Sequence, residues 1–144
     1  MKKIILLLFV SAGVSFAHAQ KIQQKDVPAT VEKALHTQFP DAKNIKWEKE
    51  KADYEAGFKL NGIEYSVVIN NSGSILETEV SINSNTLLAP ISKYIAQNYP
   101  NKKIKEATKI TDAKGVITYE VEINETDVIF DRTGNFLKEI KEKD

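Results

Sequence analysis

The sequence predicts an α+β fold: a tandem repeat of one helix plus four antiparallel strands, joined into one sheet with both helices on one face. Three observations lead there. First, Tyr54, Ala56, Phe58 and Leu60 alternate with Glu55, Gly57 and Lys59, Asn61-Gly62 follows, and Ile63, Tyr65, Val67 and Ile69 alternate with Glu64, Ser66 and Val68. Alternation on both sides of Asn-Gly marks a β-hairpin, because a tight two-residue turn needs positive φ and this pair tolerates it best. Second, the pattern returns about 60 residues later. Val31, Ala34, Leu35, Phe39 and Pro40 are answered by Ile91, Tyr94, Ile95, Tyr99 and Pro100, which indicates an internal duplication. Third, one helix on four strands leaves much apolar surface wet, so two copies gain by sharing a sheet.

Taken in order, Lys2 and Lys3 precede an apolar run from Ile4 to Val10, and Ala17-His18-Ala19 places small residues where signal peptidase reads them. Residues 1–19 are therefore expected to be a signal peptide cleaved after Ala19, with a periplasmic or secreted product. The apolar run is too short for a permanent membrane span. The remaining 125 residues suit one domain made of two repeats, 27–82 and 87–143. Lys21 to Asp26 is polar and reads as a loose leader. Pro28 opens an amphipathic helix through Phe39, where its fixed φ and missing N–H cost nothing, and Pro40 ends it. Ile45 and Trp47 then alternate with Lys46 and Glu48 in a first strand, and the parity shared with Ile45 favours the core for Trp47 over the alternative of an aromatic anchor on the open face. The meander follows, and Asn70 to Gly73 turns the chain into a strand from Ile75 to Ile82.

Asn83 to Thr86 is uniformly polar and reads as the linker. In the second copy Ile104 answers Ile45. Ile117, Tyr119, Val121 and Ile123 answer the first hairpin strand, Val128 and Phe130 answer Val67 and Ile69, and Asp131 to Gly134 answers Asn70 to Gly73. With both helices on one side, the opposite face is left to solvent or a partner. Its residues by strand parity are Glu55, Lys59, Glu64, Ser66 and Val68 in copy one, and Thr118, Glu120, Glu122 and Ile129 in copy two. Interleaved charges of this kind suit the wet side of a sheet.

Composition narrows the function. Without Lys2 and Lys3, 18 basic residues face 20 acidic ones, a net charge of about −2, which lacks the basic footprint of a nucleic-acid binder. There is no cysteine, hence no disulfide and no lipid-bearing cysteine after the leader. His36, the one histidine after cleavage, has no second histidine to join it at a metal site. Neither a Ser-His-Asp set nor a Gly-x-Ser-x-Gly word is available, so no enzyme and no cofactor are expected. Asn70 to Gly73 and Asp131 to Gly134 lack the alternating acidic positions of a calcium loop and read as glycine-closed turns.

The order of elements and several local words resemble the PepSY-like, β-lactamase-inhibitor-like periplasmic proteins of Bacteroidetes-type bacteria. The words are Val27-Pro28-Ala29, Phe39-Pro40-Asp41-Ala42-Lys43, Ile45-Lys46-Trp47-Glu48, Tyr54-Glu55-Ala56 and Leu60-Asn61-Gly62, then Tyr94 to Pro100, Tyr119-Glu120-Val121, Phe130-Asp131 and Leu137-Lys138-Glu139. The resemblance implies a tandem α+β fold like that of β-lactamase inhibitory protein, export, no established enzymatic activity, and protein binding or inhibition by analogy of fold. The chain departs from the inhibitor in having no disulfides. Glu106 and Ala107 stand near the place of a second tryptophan, and its second hairpin is Asn124-Glu125. The expectation is a non-enzymatic binding module that uses the helix-free face toward another periplasmic or envelope protein. The alternative is a carrier of a small ligand or metal.

Overall fold

The computed structural model describes residues 19–141. Residues 1–18 of the expected signal peptide, and residues 142–143 of the expected second repeat, lie outside the described residues. In chain order the elements are β1 (Gln20–Ile22), a 3₁₀ turn (Gln24–Asp26), α1 (Ala29–Gln38), β2 (Lys46–Glu50), β3 (Asp53–Leu60), β4 (Ile63–Asn70) and β5 (Ile75–Ser81). The second copy follows with a 3₁₀ turn (Ser84–Thr86), α2 (Ala89–Asn98), β6 (Ile104–Asp112), β7 (Ile117–Ile123), β8 (Thr126–Asp131) and β9 (Phe136–Lys141). The nine strands make one antiparallel sheet whose spatial order is the sequence order. α1 and α2 stand 60 residues apart at both ends, as the duplication requires.

The pairing register shows that both helices lie on one side. On β4, Val67 belongs to the core under α1, and it faces Thr78 on β5, which faces Thr111 on β6. Opposed residues share a face and so do residues two apart, so Ala107 of β6 is on that side, and Val121 opposite it on β7 as well. Val31 and Leu35 of α1 pack with Tyr54, Ala56, Phe58, Val67 and Ile69. Ile91 and Ile95 of α2 pack with Ala107, Val121, Ile123, Val128 and Phe130. These are two cores side by side beneath one sheet. Between them β5 and β6 present Thr78 and Thr111, both half-buried.

The cores are filled differently. In the first, Phe39, Phe58 and Tyr65 form an aromatic group with centroids 5.3 to 5.6 Å apart. Trp47 is 3 % exposed and belongs to it, as its strand parity predicts. Ala107 takes the matching place in the second copy and is also buried, and that core gains its bulk from Phe130 against Tyr94 and Phe136. The indole Nε1 of Trp47 is buried and finds no acceptor among the described residues. An unsatisfied buried donor costs about 1–3 kcal/mol. Trp47→Phe removes that cost while leaving a small void, so its urea midpoint is expected close to wild type, whereas Trp47→Ala is expected to lose about 3–5 kcal/mol.

The turns after β4 and β8 are glycine-closed, as expected. Asn70 Oδ1 accepts the N–H groups of Ser72 and Ser74 at 3.1 and 2.9 Å, and Asp131 Oδ1 accepts those of Thr133 and Asn135 at 2.8 and 2.9 Å. The oxygens a cation would need are thus engaged by the turn itself. Gly134 has φ +90, and a Cβ there would stand 3.0 Å from the Pro90 side chain, so each turn lies close against the start of its helix.

Three expectations need correction. Lys21 to Asp26 is no loose leader, because residues 20–22 pair with Glu48 and its neighbours as edge strand β1 and a 3₁₀ turn follows. The Asn83–Thr86 linker is an ordered 3₁₀ turn in which the Asn83 side chain accepts from the Asn85 N–H. The third correction concerns the helix-free face. Glu120 and Glu122, expected on a wet surface, are buried to 8 and 7 % exposure, and Ile129 to 7 %.

Candidate functional site

The helix-free face is read off the same register. Glu48, Glu55, Val68, Glu77 and Asp112 form one row across five strands. The next row runs Lys46, Gly57, Ser66, Glu79, Ile110 and Thr118. A third joins Ser81, Thr108, Glu120, Ile129 and Lys138. Lys59 opposes Glu64, and Glu122 lies between Glu106 and Asp127. All eight residues singled out from the sequence, Glu55, Lys59, Glu64, Ser66, Val68, Thr118, Glu120 and Glu122, therefore share one surface.

That surface is concave. Long antiparallel sheets twist and coil, and this one encloses a hollow of about 1100 Å³ whose lining runs from Lys21 on β1 to Glu106 and Thr108 on β6. Small residues make the room: Gly57, Ser66 and Ser81 all border it. Glu55, Glu79 and Glu106 line it, whereas Glu77, Glu120 and Glu122 are outside its lining.

The electrostatics follow. Burial raises Glu55, although Ser66 Oγ donates to its Oε1 at 2.6 Å and partly offsets the rise. Burial raises Glu77, and lifts Glu79 to about 10 with help from Glu77 beside it. Glu120 is pushed up to about 8 by burial first and then by Asp127, Glu106 and Glu122. Burial and Glu122 raise Glu106 on β6. Two cations sit at the margin. Lys59 Nζ meets Glu64 at 3.2 Å, both exposed, and Lys105 Nζ meets Glu122 at 3.3 Å. Burial thus shifts this group of carboxyls toward the protonated form, Glu79 and Glu120 most, and two ion pairs stand at the margin.

Glu77, Glu79, Glu106 and Thr108 were absent from the sequence reading of this face. The Glu77-Thr78-Glu79-Val80 alternation carries the information for β5, since the acidic residues take one parity and the β-branched Thr78 and Val80 the other. Among the described residues, no group of three or more His, Cys, Asp or Glu is arranged to hold a metal ion. His36 is exposed on α1, away from this face. Among the described residues no helix is long and apolar enough to cross a membrane.

A family described as "Putative beta-lactamase-inhibitor-like, PepSY-like" matches residues 14–77 and again residues 60–138. The chain belongs to the PepSY-like family. The two matches overlap over residues 60–77, and each includes one of the two helices. Solved structures with the same fold include a "putative periplasmic" protein from Bacteroides eggerthii, with a TM-score of 0.75 at 18 % identity over 80 % of this chain and 88 % of that one. A DUF2874 family protein from Bacteroides uniformis has a TM-score of 0.69 at 19 % identity, covering 79 % and 88 %. A BLIP-like protein from Bacteroides fragilis has 0.65 at 24 %, covering 81 % and 89 %. At these identities the likeness is one of fold. No curated protein matches the sequence.

Proposed function

We propose that this PepSY-like protein is an exported, non-enzymatic binding module that holds another envelope protein on the helix-free face of its sheet. The concave hollow carries the reading: nine strands present one continuous surface with no described helix over it, and both cores are complete without it. Export is supported by the leader pattern and by β1, which begins at Gln20 on the mature side of the expected cleavage point. The periplasmic description of the Bacteroides eggerthii relative agrees with that location. N-terminal sequencing of the exported protein is expected to start at Gln20.

Gly57 supplies the test. A Cβ there meets nothing closer than the Lys46 carbonyl oxygen at 3.8 Å, so a side chain is accommodated, and it would project into the hollow. Gly57→Phe is expected to fold at least as well as wild type, since glycine weakens a strand interior by about 0.5–1 kcal/mol. A photo-crosslinking residue at Ser66 is expected to capture a protein of defined mass in the periplasm, and Gly57→Phe to abolish that adduct. The same probe at Lys33 on α1 is expected to capture none. Equal capture from both faces, or an adduct that survives Gly57→Phe, would count against the reading.

A second reading, a carrier of a small ligand, is favoured by the size of the hollow, which is at the upper end of small-molecule sites. Native mass spectrometry of the exported protein separates the two, because a carrier retains a small mass and a protein-binding module does not.

A further inference from the structure

The two edges of the sheet are unlike. β1 closes one side with three residues, whereas β9 closes the other with six, Phe136–Lys141, and among the described residues its strand partner is β8. An open edge strand carries a row of unpaired backbone N–H and C=O groups, and shortness is one way to blunt it. Alternation tells which residues of β9 carry them. The Asp131 N–H donates to the Asn135 carbonyl oxygen, so Asp131 turns its backbone groups toward β9, and Ile129 and Asp127 do the same. Ile140, opposite Asp127, therefore bonds inward, and Glu139 and Lys141 turn their N–H and C=O groups outward. We propose that this edge pairs with the same edge of a second copy of the chain, antiparallel about a two-fold axis at Ile140.

Charge complementarity selects this occupant. With Ile140 opposite Ile140, Glu139 of each copy opposes Lys141 of the other, so the symmetry makes two Glu–Lys pairs around one apolar pair. Opposite charges facing across antiparallel strands are favourable and like charges are not. Shifting the axis by one residue either way sets Glu139 against Glu139 or Lys141 against Lys141, so the charges also fix the register. Glu139 and Lys141 are both exposed, and both lie on the helix side with Val128 and Thr126 opposite them. The Tyr99 hydroxyl donates to Glu139 Oε2 at 2.5 Å, which holds that carboxylate in place, and its second oxygen can accept from the lysine. Opposed residues share a face, so the helices of both copies stay on one side and the two helix-free faces run on as one surface. The edge lies apart from the hollow, whose lining ends on β6, so this pairing does not depend on the binding role proposed above.

The sequence has no cysteine, which permits a direct test. Residues facing each other at a non-hydrogen-bonded position have Cα atoms about 4.5 Å apart, within the reach of a disulfide. Mild oxidation of the exported protein carrying Ile140→Cys is expected to give a disulfide-linked dimer. Leu137→Cys lies three residues from the axis on each copy, about 20 Å from its counterpart, and is expected not to link. Sedimentation of the unmodified protein at high concentration is expected to show twice the mass of one chain. Glu139→Lys and Lys141→Glu each set like charges across the axis and are expected to sediment as monomers with an unchanged circular dichroism spectrum. Lys141→Glu does so with the Tyr99 bond intact. An equimolar mixture of the two variants restores opposite charges at both pairs and is expected to recover the dimer mass. A monomeric wild type at every concentration, no link through Ile140→Cys, equal linking through Leu137→Cys, dimers in either charge variant, or a mixture that stays monomeric would overturn the inference.

Discussion

Urea unfolding is expected to show a more stable protein at pH 5 than at pH 8. The carboxyls of Glu79 and Glu120 are raised from 4.5 to about 10 and about 8, so the folded state holds protons that the unfolded chain gives up. Stability from a raised group is fully present below its unfolded pKa and is lost as pH climbs through the folded one. The window here opens at about 4.5 and extends past neutrality. At about 1.4 kcal/mol per pH unit, Glu120 alone gives a loss on the order of 3 kcal/mol between pH 5 and pH 8. Asp131 has the opposite sign. Backbone and side-chain hydrogen bonds from Asn135 and Thr133 hold it well below the ordinary carboxyl range, so its contribution is present above that range and lost on further acidification. The stability maximum is expected in the mildly acidic range. Glu79→Gln with Glu120→Gln should flatten the alkaline limb and raise the midpoint at pH 8. An unchanged slope in that variant would assign the pH dependence to other groups.

Phe130→Ala is expected to remove about 3–5 kcal/mol, and Leu35→Ala about 2–5. Both side chains are fully buried, Phe130 under α2 and Leu35 in α1. They belong to separate cores, and changes at sites without shared partners add. The double variant should therefore lose the sum, which is comparable to the whole stability of an ordinary domain. Circular dichroism of the double variant is expected to show an unfolded chain at 25 °C. A double variant no less stable than either single one would mean the two cores are coupled through the sheet.

Elements whose residue types impose a local constraint were legible in the sequence. Asn61 and Gly62 both take positive φ, 52 and 79, as a mirror-image hairpin turn demands. Pro40 and Pro100 follow helices that end at Gln38 and Asn98. Elements that depend on a neighbour were not legible. β1 is three residues long, and nothing in Gln20-Lys21-Ile22 specifies a strand until β2 offers Trp47, Glu48 and Lys49 to pair with. β6 alternates weakly, with Lys105, Glu106 and Lys109 interrupting its apolar residues and a register shift after Ile104. The face of the site followed from period two, so its eight expected residues lie on one surface. The burial of Glu120 and Glu122 did not follow, because it depends on the strands β6 and β8 that flank them in the assembled sheet. Neither did the grouping of Glu79 with Glu120, which needs the register across β5, β6 and β7.

The helix-free face is distinguished by glutamates, Glu79 and Glu120 above all, that burial holds toward the protonated form. A ¹³C-detected pH titration of the glutamate side-chain carboxyl carbons in the exported protein measures this directly. The resonances of Glu79 and Glu120 are expected to titrate above pH 7. Titration of both between about pH 4 and 5 would contradict it.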